Sequence, residues 1–219
     1  MANKSIKEEN VATTVSATES FFVEHKKTLV GVLVALVVVG LGVLAYSKFV
    51  YTPAVAQAQE ASYPAELNFQ SGNYELALEG NGVDLGFAQI CDKYGSKAGK
   101  AVYLYAGICS AQLGRWEDAL TYLKKYNGKD AILAARALAL QGDCYVALDD
   151  NVTAVKYYEK AASRADNLFA ADYLIKAGNT YAVLGQKDKA LAAYKTVKEK
   201  YPMGIEASLI DKYINEVSE

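Results

Sequence analysis

The chain has 219 residues, 52% of them hydrophobic and 22% charged, with a formal net charge of −2, room enough for one ordinary domain or for a membrane span and a smaller one. Its single histidine, His25, lies in an N-terminal leader, so the rest of the chain can assemble neither a His-dependent triad nor a multi-histidine metal site. Five of the 23 Lys and Arg and four of the 25 Asp and Glu precede Tyr51, which leaves 18 against 21 and a formal charge of about −3 beyond it, with no basic stripe to follow a phosphate backbone; nucleic acid is a poor partner.

Residues 1–27 form the leader, which carries Glu8, Glu9, Glu19 and Glu24. Thr28 to Ser47 then run for twenty residues without a charge, and at about 1.5 Å per residue such a helix covers the roughly 30 Å hydrocarbon core of a bilayer. The expected transmembrane helix is 28–50, with the membrane contacted from Leu29 to Phe49. A cleavable signal is the alternative, and Ala54-Val55-Ala56 imitates a cleavage site, but a signal needs only about 7 to 15 apolar residues behind a short basic start. A buried soluble helix is the other alternative, yet such a helix seldom lacks a polar stripe for so long. Lys4, Lys7, Lys26 and Lys27 precede the span, whereas Lys48 stands alone until Lys93, which places the N-terminus in the cytoplasm and the rest across the membrane. Phe21-Phe22 on one side and Tyr46, Phe49 and Tyr51 on the other suit the two interfaces.

Pro53 and Pro64 predict a linker that is kinked or broken into two short helices. Ser71 to Leu78 reads as the turn and second helix of a degenerate first repeat. Glu79-Gly80-Asn81-Gly82 interrupts it, as a turn that lacks the ending of a phosphate-binding loop, and Gly86 to Tyr94 resumes as helix. Residues 51–97 are thus a linker and degenerate first repeat.

Three segments then carry the same spaced residues: Gly107, Leu113-Gly114, Ala119 and Tyr122; Gly142, Tyr145, Leu148, Ala154 and Tyr157-Tyr158; Gly178, Tyr181, Leu184-Gly185, Ala190 and Tyr194. The glycines at 107, 142 and 178 recur at a period close to the 34 residues of a helix-turn-helix repeat, and over Ala98 to Pro202 the chain resembles the tetratricopeptide-repeat family. A small residue on the first helix of each unit (Gly107, Gly142, Gly178) is expected to face a small residue on the second (Ala119, Ala154, Ala190), so that the axes approach to about 8 to 10 Å. Gly114 and Gly185 stand where a helix C-terminus takes a left-handed residue; the middle unit has Asp149-Asp150-Asn151 there, and Asp and Asn tolerate that region. The 17 tyrosines read as core and groove lining, and Cys91, Cys109 and Cys144 as small buried thiols without paired spacing. Asn151-Val152-Thr153 fits a glycosylation sequon but falls in a repeat turn.

Residues 98–202 are therefore three repeats. Pro202 closes the third, and 203–219 form a capping helix with Ile205, Leu209, Ile210, Tyr213, Ile214 and Val217 on one face and Glu206, Asp211, Lys212 and Glu216 on the other. The fold class is all-α, a single N-terminal transmembrane helix followed by a tetratricopeptide-repeat solenoid.

The family resemblance implies that a concave face binds protein. Carried over residue by residue, it gives a groove of Leu104, Ile108 and Gln112; Arg136, Asp143 and Val146; and Asp172, Ile175, Asn179 and Val183, with Ala101, Ala111, Ala139, Ala147 and Ala182 between them. Members that clamp a terminal carboxylate use a Lys where Leu104, Ala139 and Ile175 stand here, which argues against that mode. A mixed, fairly apolar groove suits an extended or helical apolar segment. The leader Glu19-Ser20-Phe21-Phe22-Val23-Glu24-His25-Lys26-Lys27, one span, and an array closing on Tyr201-Pro202 resemble bacterial inner-membrane repeat proteins related to the ancillary subunit of the Sec translocon. That resemblance implies a periplasmic repeat domain whose partners are exported chains, chaperones and the translocon. The expected role is a membrane-anchored interaction scaffold or chaperone-like module with no enzymatic activity and no cofactor; the alternative is an organelle import receptor with its repeats in the cytosol.

Overall fold

The computed structural model describes residues 2–165, 167–202 and 209–218, and side chains from Val23 onward except that of Leu168. Ile205 and Glu206 of the expected capping helix, and the side chains of Phe21 and Phe22, lie outside the described residues. The chain forms two compact units, Met1–Pro53 and Ala54–Glu219.

The first unit contains the long helix α1 (Ala2–Tyr46) and a π-helical turn, Ser47–Tyr51. Every residue from Val30 to Val50 is exposed, and the most apolar stretch reaches a mean hydropathy of 2.8 with none of it buried. A run of bare Val and Leu of this length is long and apolar enough to cross a membrane, and in water it would cost heavily.

The second unit is a stack of helical hairpins. Helices α2 (Thr52–Gln70) and α3 (Tyr74–Glu79) form the first, α5 (Ala101–Gln112) and α6 (Trp116–Lys125) the second, α7 (Ala131–Ala147) and α8 (Asn151–Arg164) the third, and α9 (Leu168–Val183) and α10 (Lys187–Lys200) the fourth. The short helix α4 (Phe87–Tyr94) is inserted after the first hairpin, and α11 (Ile210–Ser218) packs on α10. One turn recurs in all four hairpins. In the second, the Gly114 amide donates to Ala111 O and the Arg115 amide to Ser110 O, at 3.0 and 2.8 Å. The same pair of bonds recurs from Gly72 and Asn73, Asp149 and Asp150, and Gly185 and Gln186. This doubly bonded helix end needs a left-handed residue, and φ is +73° at Gly114, +70° at Gly185 and +59° at Asp149, the one described non-glycine residue with positive φ. The turn at Gly72 joins α2 to α3 by the same two bonds, although these two helices pack on one another far less than those of the three later hairpins do.

Of the two forms expected for the linker, kinked or broken into two short helices, the break does not occur: α2 is one helix with Pro64 inside it. A proline removes one helical hydrogen bond, and burial of Ala58, Ser62 and Ala65 on the flanking turns holds the rest together. Nor do the repeat glycines mainly face the repeat alanines. A Cβ at Gly107 would lie 2.6 Å from Leu123 Cγ, at Gly142 2.6 Å from Tyr158 Cε1, and at Gly178 2.4 Å from Tyr194 Cε1. The small residue makes room for a large side chain one helical turn beyond the alanine, while Ala119, Ala154 and Ala190, each fully buried, let the backbones close.

Tyr194 is also stacked on Tyr213 of α11, centroids 5.5 Å apart, so the cap seals the last hairpin by an aromatic contact beside buried Ile210. Lys198 of α10 bonds Asp211 at 2.6 Å on the solvent side. At the other end, Phe69, Phe87 and Tyr105 form an aromatic cluster that joins α2, α4 and α5. The insertion before α4 is a tight loop in which Asn81 Oδ1 accepts from the amides of Val83 and Asp84 at 2.9 and 2.7 Å. It closes so tightly that a Cβ on Gly86 would lie 2.3 Å from Leu78 O.

Two predictions follow from this packing. Gly178→Val forces branched carbons into the Tyr194 ring, and overpacking of about 1–3 kcal/mol should outweigh the helix-propensity gain of a few tenths; urea unfolding should show the loss, and an unchanged midpoint would contradict the contact. Burial pushes the thiols of Cys91, Cys109 and Cys144 up to about 12, from 9.0. The neutral thiol is the form the folded state favours, so this contribution is complete below about pH 9 and is lost as pH rises toward 12. The melting temperature should therefore decline above about pH 9, and a midpoint that climbs through that range would contradict the thiol burial.

Candidate protein-binding groove

A cavity of about 380 Å³ opens on the face formed by the first helices of successive hairpins. Its lining comes from three helices: Ile108 and Gln112 of α5; Ile132, Arg136, Ala139, Leu140 and Asp143 of α7; and Phe169, Asp172, Tyr173 and Lys176 of α9. None of these residues belongs to α6, α8 or α10, as stacked hairpins require when first helices form one face and second helices the other.

Five of the ten residues expected in the groove line this cavity: Ile108, Gln112, Arg136, Asp143 and Asp172. Leu104 and Ile175 do not. At 2% and 6% exposure they fill the space between neighbouring helices, Leu104 in one cluster with Ala137 and Cys144, Ile175 in another with Ala139 and Tyr158. Their position lies three residues before the repeat glycine, where α7 carries the small Ala139, which reaches the cavity wall. Val146 and Val183 are exposed, 38% and 73%, but outside the cavity, and Asn179 accepts a hydrogen bond from the Tyr194 hydroxyl at 2.7 Å.

The residues that repeat spacing missed extend the groove by one turn. Helix α7 starts at Ala131, four residues before the unit that the glycine period marks out, and Ile132 and Phe169 lie on those early turns. The signal was local. Asp130 accepts from the Leu133 amide at 2.8 Å and Asn167 from the Phe169 amide at 2.9 Å, side-chain caps of the kind Asp and Asn form before a helical run.

The polar floor of the cavity is a three-helix node. Tyr158 of α8 donates its hydroxyl proton to Asp143 Oδ1 at 2.7 Å, and Lys176 of α9 donates to both Asp143 oxygens at 2.9 and 3.0 Å. Burial, and then the Asp143 carboxylate, hold the Tyr158 hydroxyl protonated far above its ordinary range. The tyrosine-to-polar bond repeats fifteen residues apart in the next hairpin, as Tyr194 to Asn179. In the second hairpin the equivalent residues are Leu123 and Ile108, so the same pair of positions is apolar there. The charges of the cavity thus lie on α7 and α9, while α5 contributes the uncharged Ile108 and Gln112.

Because Asp143 and Lys176 side chains are each 35% exposed, their Coulomb attraction is screened, and the Tyr158 bond is the better-protected half of the node. Tyr158→Phe should cost about 1 kcal/mol, and Asp143→Ala more, about 1–3 kcal/mol, because it leaves the buried hydroxyl without its acceptor. Thermal unfolding of both variants checks the order, and equal losses would contradict it.

Residues 172–202 match the family model for the tetratricopeptide repeat. Two solved structures of MamA are similar in fold: one at 20% identity and a TM-score of 0.55, covering 70% of this chain and 92% of that one, the other at 19% identity and 0.55, covering 75% and 86%. No curated protein matches the chain. At those identities the likeness speaks for the fold, and with the four hairpins it establishes a tetratricopeptide-type helical solenoid in a chain that also carries a long apolar N-terminal helix.

Proposed function

We propose that this protein is a membrane-anchored interaction scaffold that holds polypeptide segments in the groove of α5, α7 and α9. The observation that carries the reading is the cavity itself, built from the first helices of three hairpins, with Ile132 and Phe169 exposed at its mouth at 43% and 55%. Concave faces of stacked repeats are the extended surfaces on which such proteins take partners, and exposed apolar side chains beside polar ones suit a chain segment better than a small metabolite. No catalytic role and no cofactor enter this reading; Asp143 and Lys176 neutralise one another, and the thiols are buried and protonated.

The anchor in this reading is the segment from Leu29 to Phe49, the end of α1 and the π-helical turn after it, with residues 1–27 cytoplasmic and the repeats on the far side, in a bacterial inner membrane the periplasm. The lysine distribution supports that orientation. Exported chains and their chaperones are then the partners at hand, and association with the Sec translocon is the extension that the Glu19–Lys27 leader supports. The repeat array 98–202, preceded by 51–97 and capped by 203–219, is the part that meets them.

A cytosol-facing import receptor is the competing arrangement, and the two differ in topology. Single-cysteine tags at either end of the full chain, probed with a membrane-impermeant maleimide in intact cells, should label at the C-terminus and not at the N-terminus. Labelling at neither end until the cells are permeabilised would favour the import receptor, labelling at the N-terminus alone would reverse the orientation, and release of the repeats as a soluble fragment would replace the anchor with a cleaved signal.

A further inference from the structure

We infer that the groove selects segments in which an apolar side chain is followed two residues later by a carboxylate, and that Arg136 receives that carboxylate. The inference rests on the peptide-binding reading above and adds the chemistry that it prefers.

Two cations line the cavity, and they differ in commitment. Lys176 is held by both oxygens of Asp143, which also accepts from Tyr158, so the charge of each is already compensated by the other. Asp172 is half-buried, already engaged, and its charge bears on the hydroxyls of Tyr158 and Tyr173. Arg136 is exposed, and among the described residues no carboxylate lies within ion-pair distance of it. Among the described residues of the lining, Arg136 is therefore the cation that no carboxylate pairs, and the half-buried Asp172 carries the other charge outside the Asp143–Lys176 pair. A guanidinium is also the cation best shaped to take a carboxylate in two parallel hydrogen bonds.

The apolar partner sits at a fixed offset. Ile132 precedes Arg136 by four residues, so the two share a face of α7 and are separated by about 6 Å along its axis. Phe169, on α9, lines the same cavity and is 55% exposed. Two residues of extended chain also advance about 6–7 Å. A segment whose apolar side chain packs on Ile132 and Phe169 thereby brings the side chain two residues on to the guanidinium.

The test uses the full chain in lipid nanodiscs and fluorescent nine-residue peptides of a Gly-Ser frame, with Phe followed two positions later by Glu, Gln or Lys. The Glu peptide should bind tighter than the Gln peptide by about fivefold or more, and the Lys peptide should be weakest. Arg136→Gln should abolish the Glu-over-Gln preference, bringing the two affinities within about twofold of each other. Asp143→Asn should widen the preference, since it uncovers Lys176 yet keeps an acceptor for Tyr158, the arrangement Tyr194 already has with Asn179. Thermal melts of each variant confirm that it is folded. Equal Glu and Gln affinities in the unaltered chain, a preference that survives Arg136→Gln, or a preference for Lys would overturn the inference and leave peptide binding intact. Failure of every peptide to bind would overturn the groove reading with it.

Discussion

The array depends on one close approach, repeated. In each of the last three hairpins a glycine on the first helix receives a large side chain from the second: Leu123 against Gly107, Tyr158 against Gly142, Tyr194 against Gly178. Without a Cβ in the way, the large group lies flat across the partner helix, and the buried alanine one turn earlier brings the backbones together. The same side chain then sets the polarity of the concave face. Where it is tyrosine, its hydroxyl reaches the residue after the glycine, and that residue must accept a proton, hence Asp143 and Asn179; where it is leucine, the neighbour is Ile108. Packing inside a hairpin and chemistry on the groove are thus linked through one residue.

That link joins hairpins as well. Asp143, oriented by Tyr158 from its own hairpin, is the acceptor for Lys176 of the next, so the node sets α7 against α9 at the floor of the cavity. The aromatic clusters serve the ends: Phe69, Phe87 and Tyr105 where α4 is inserted, and Tyr194 with Tyr213 where α11 closes the stack. A solenoid exposes core at a terminus unless something covers it, and the cover that α11 provides is partly aromatic, through Tyr213 on Tyr194.

Much of this was legible in the residues, because the hairpin turns are set by short-range chemistry. Gly114, Asp149 and Gly185 mark their turns by the left-handed conformation they can adopt, and Gly72 marks the divergent first hairpin by the same two hydrogen bonds. The partner of each glycine was not legible, since spacing alone does not say whether the alanine or the side chain one turn later fills the gap. The cavity lining was legible in part. The family resemblance names Arg136, Asp143 and Asp172, which line it, but treats every first helix as equally long, whereas Asp130 and Asn167 start α7 and α9 a turn early and bring Ile132 and Phe169 into the wall. It also treats equivalent positions as equivalent surfaces, whereas Ala139 touches the cavity and Leu104 and Ile175 do not, although all three are buried.

Polypeptide held on this concave face can be captured in cells by photocrosslinking. A benzophenone amino acid in place of Phe169 lies at the cavity mouth, and the same group at Lys156, an exposed position on α8 that does not line the cavity, is its control. The account predicts protein adducts from position 169 that fall when Ile132 is changed to Asp, with few from position 156. Adducts of equal yield from both positions, or adducts from 169 indifferent to Ile132, would contradict it.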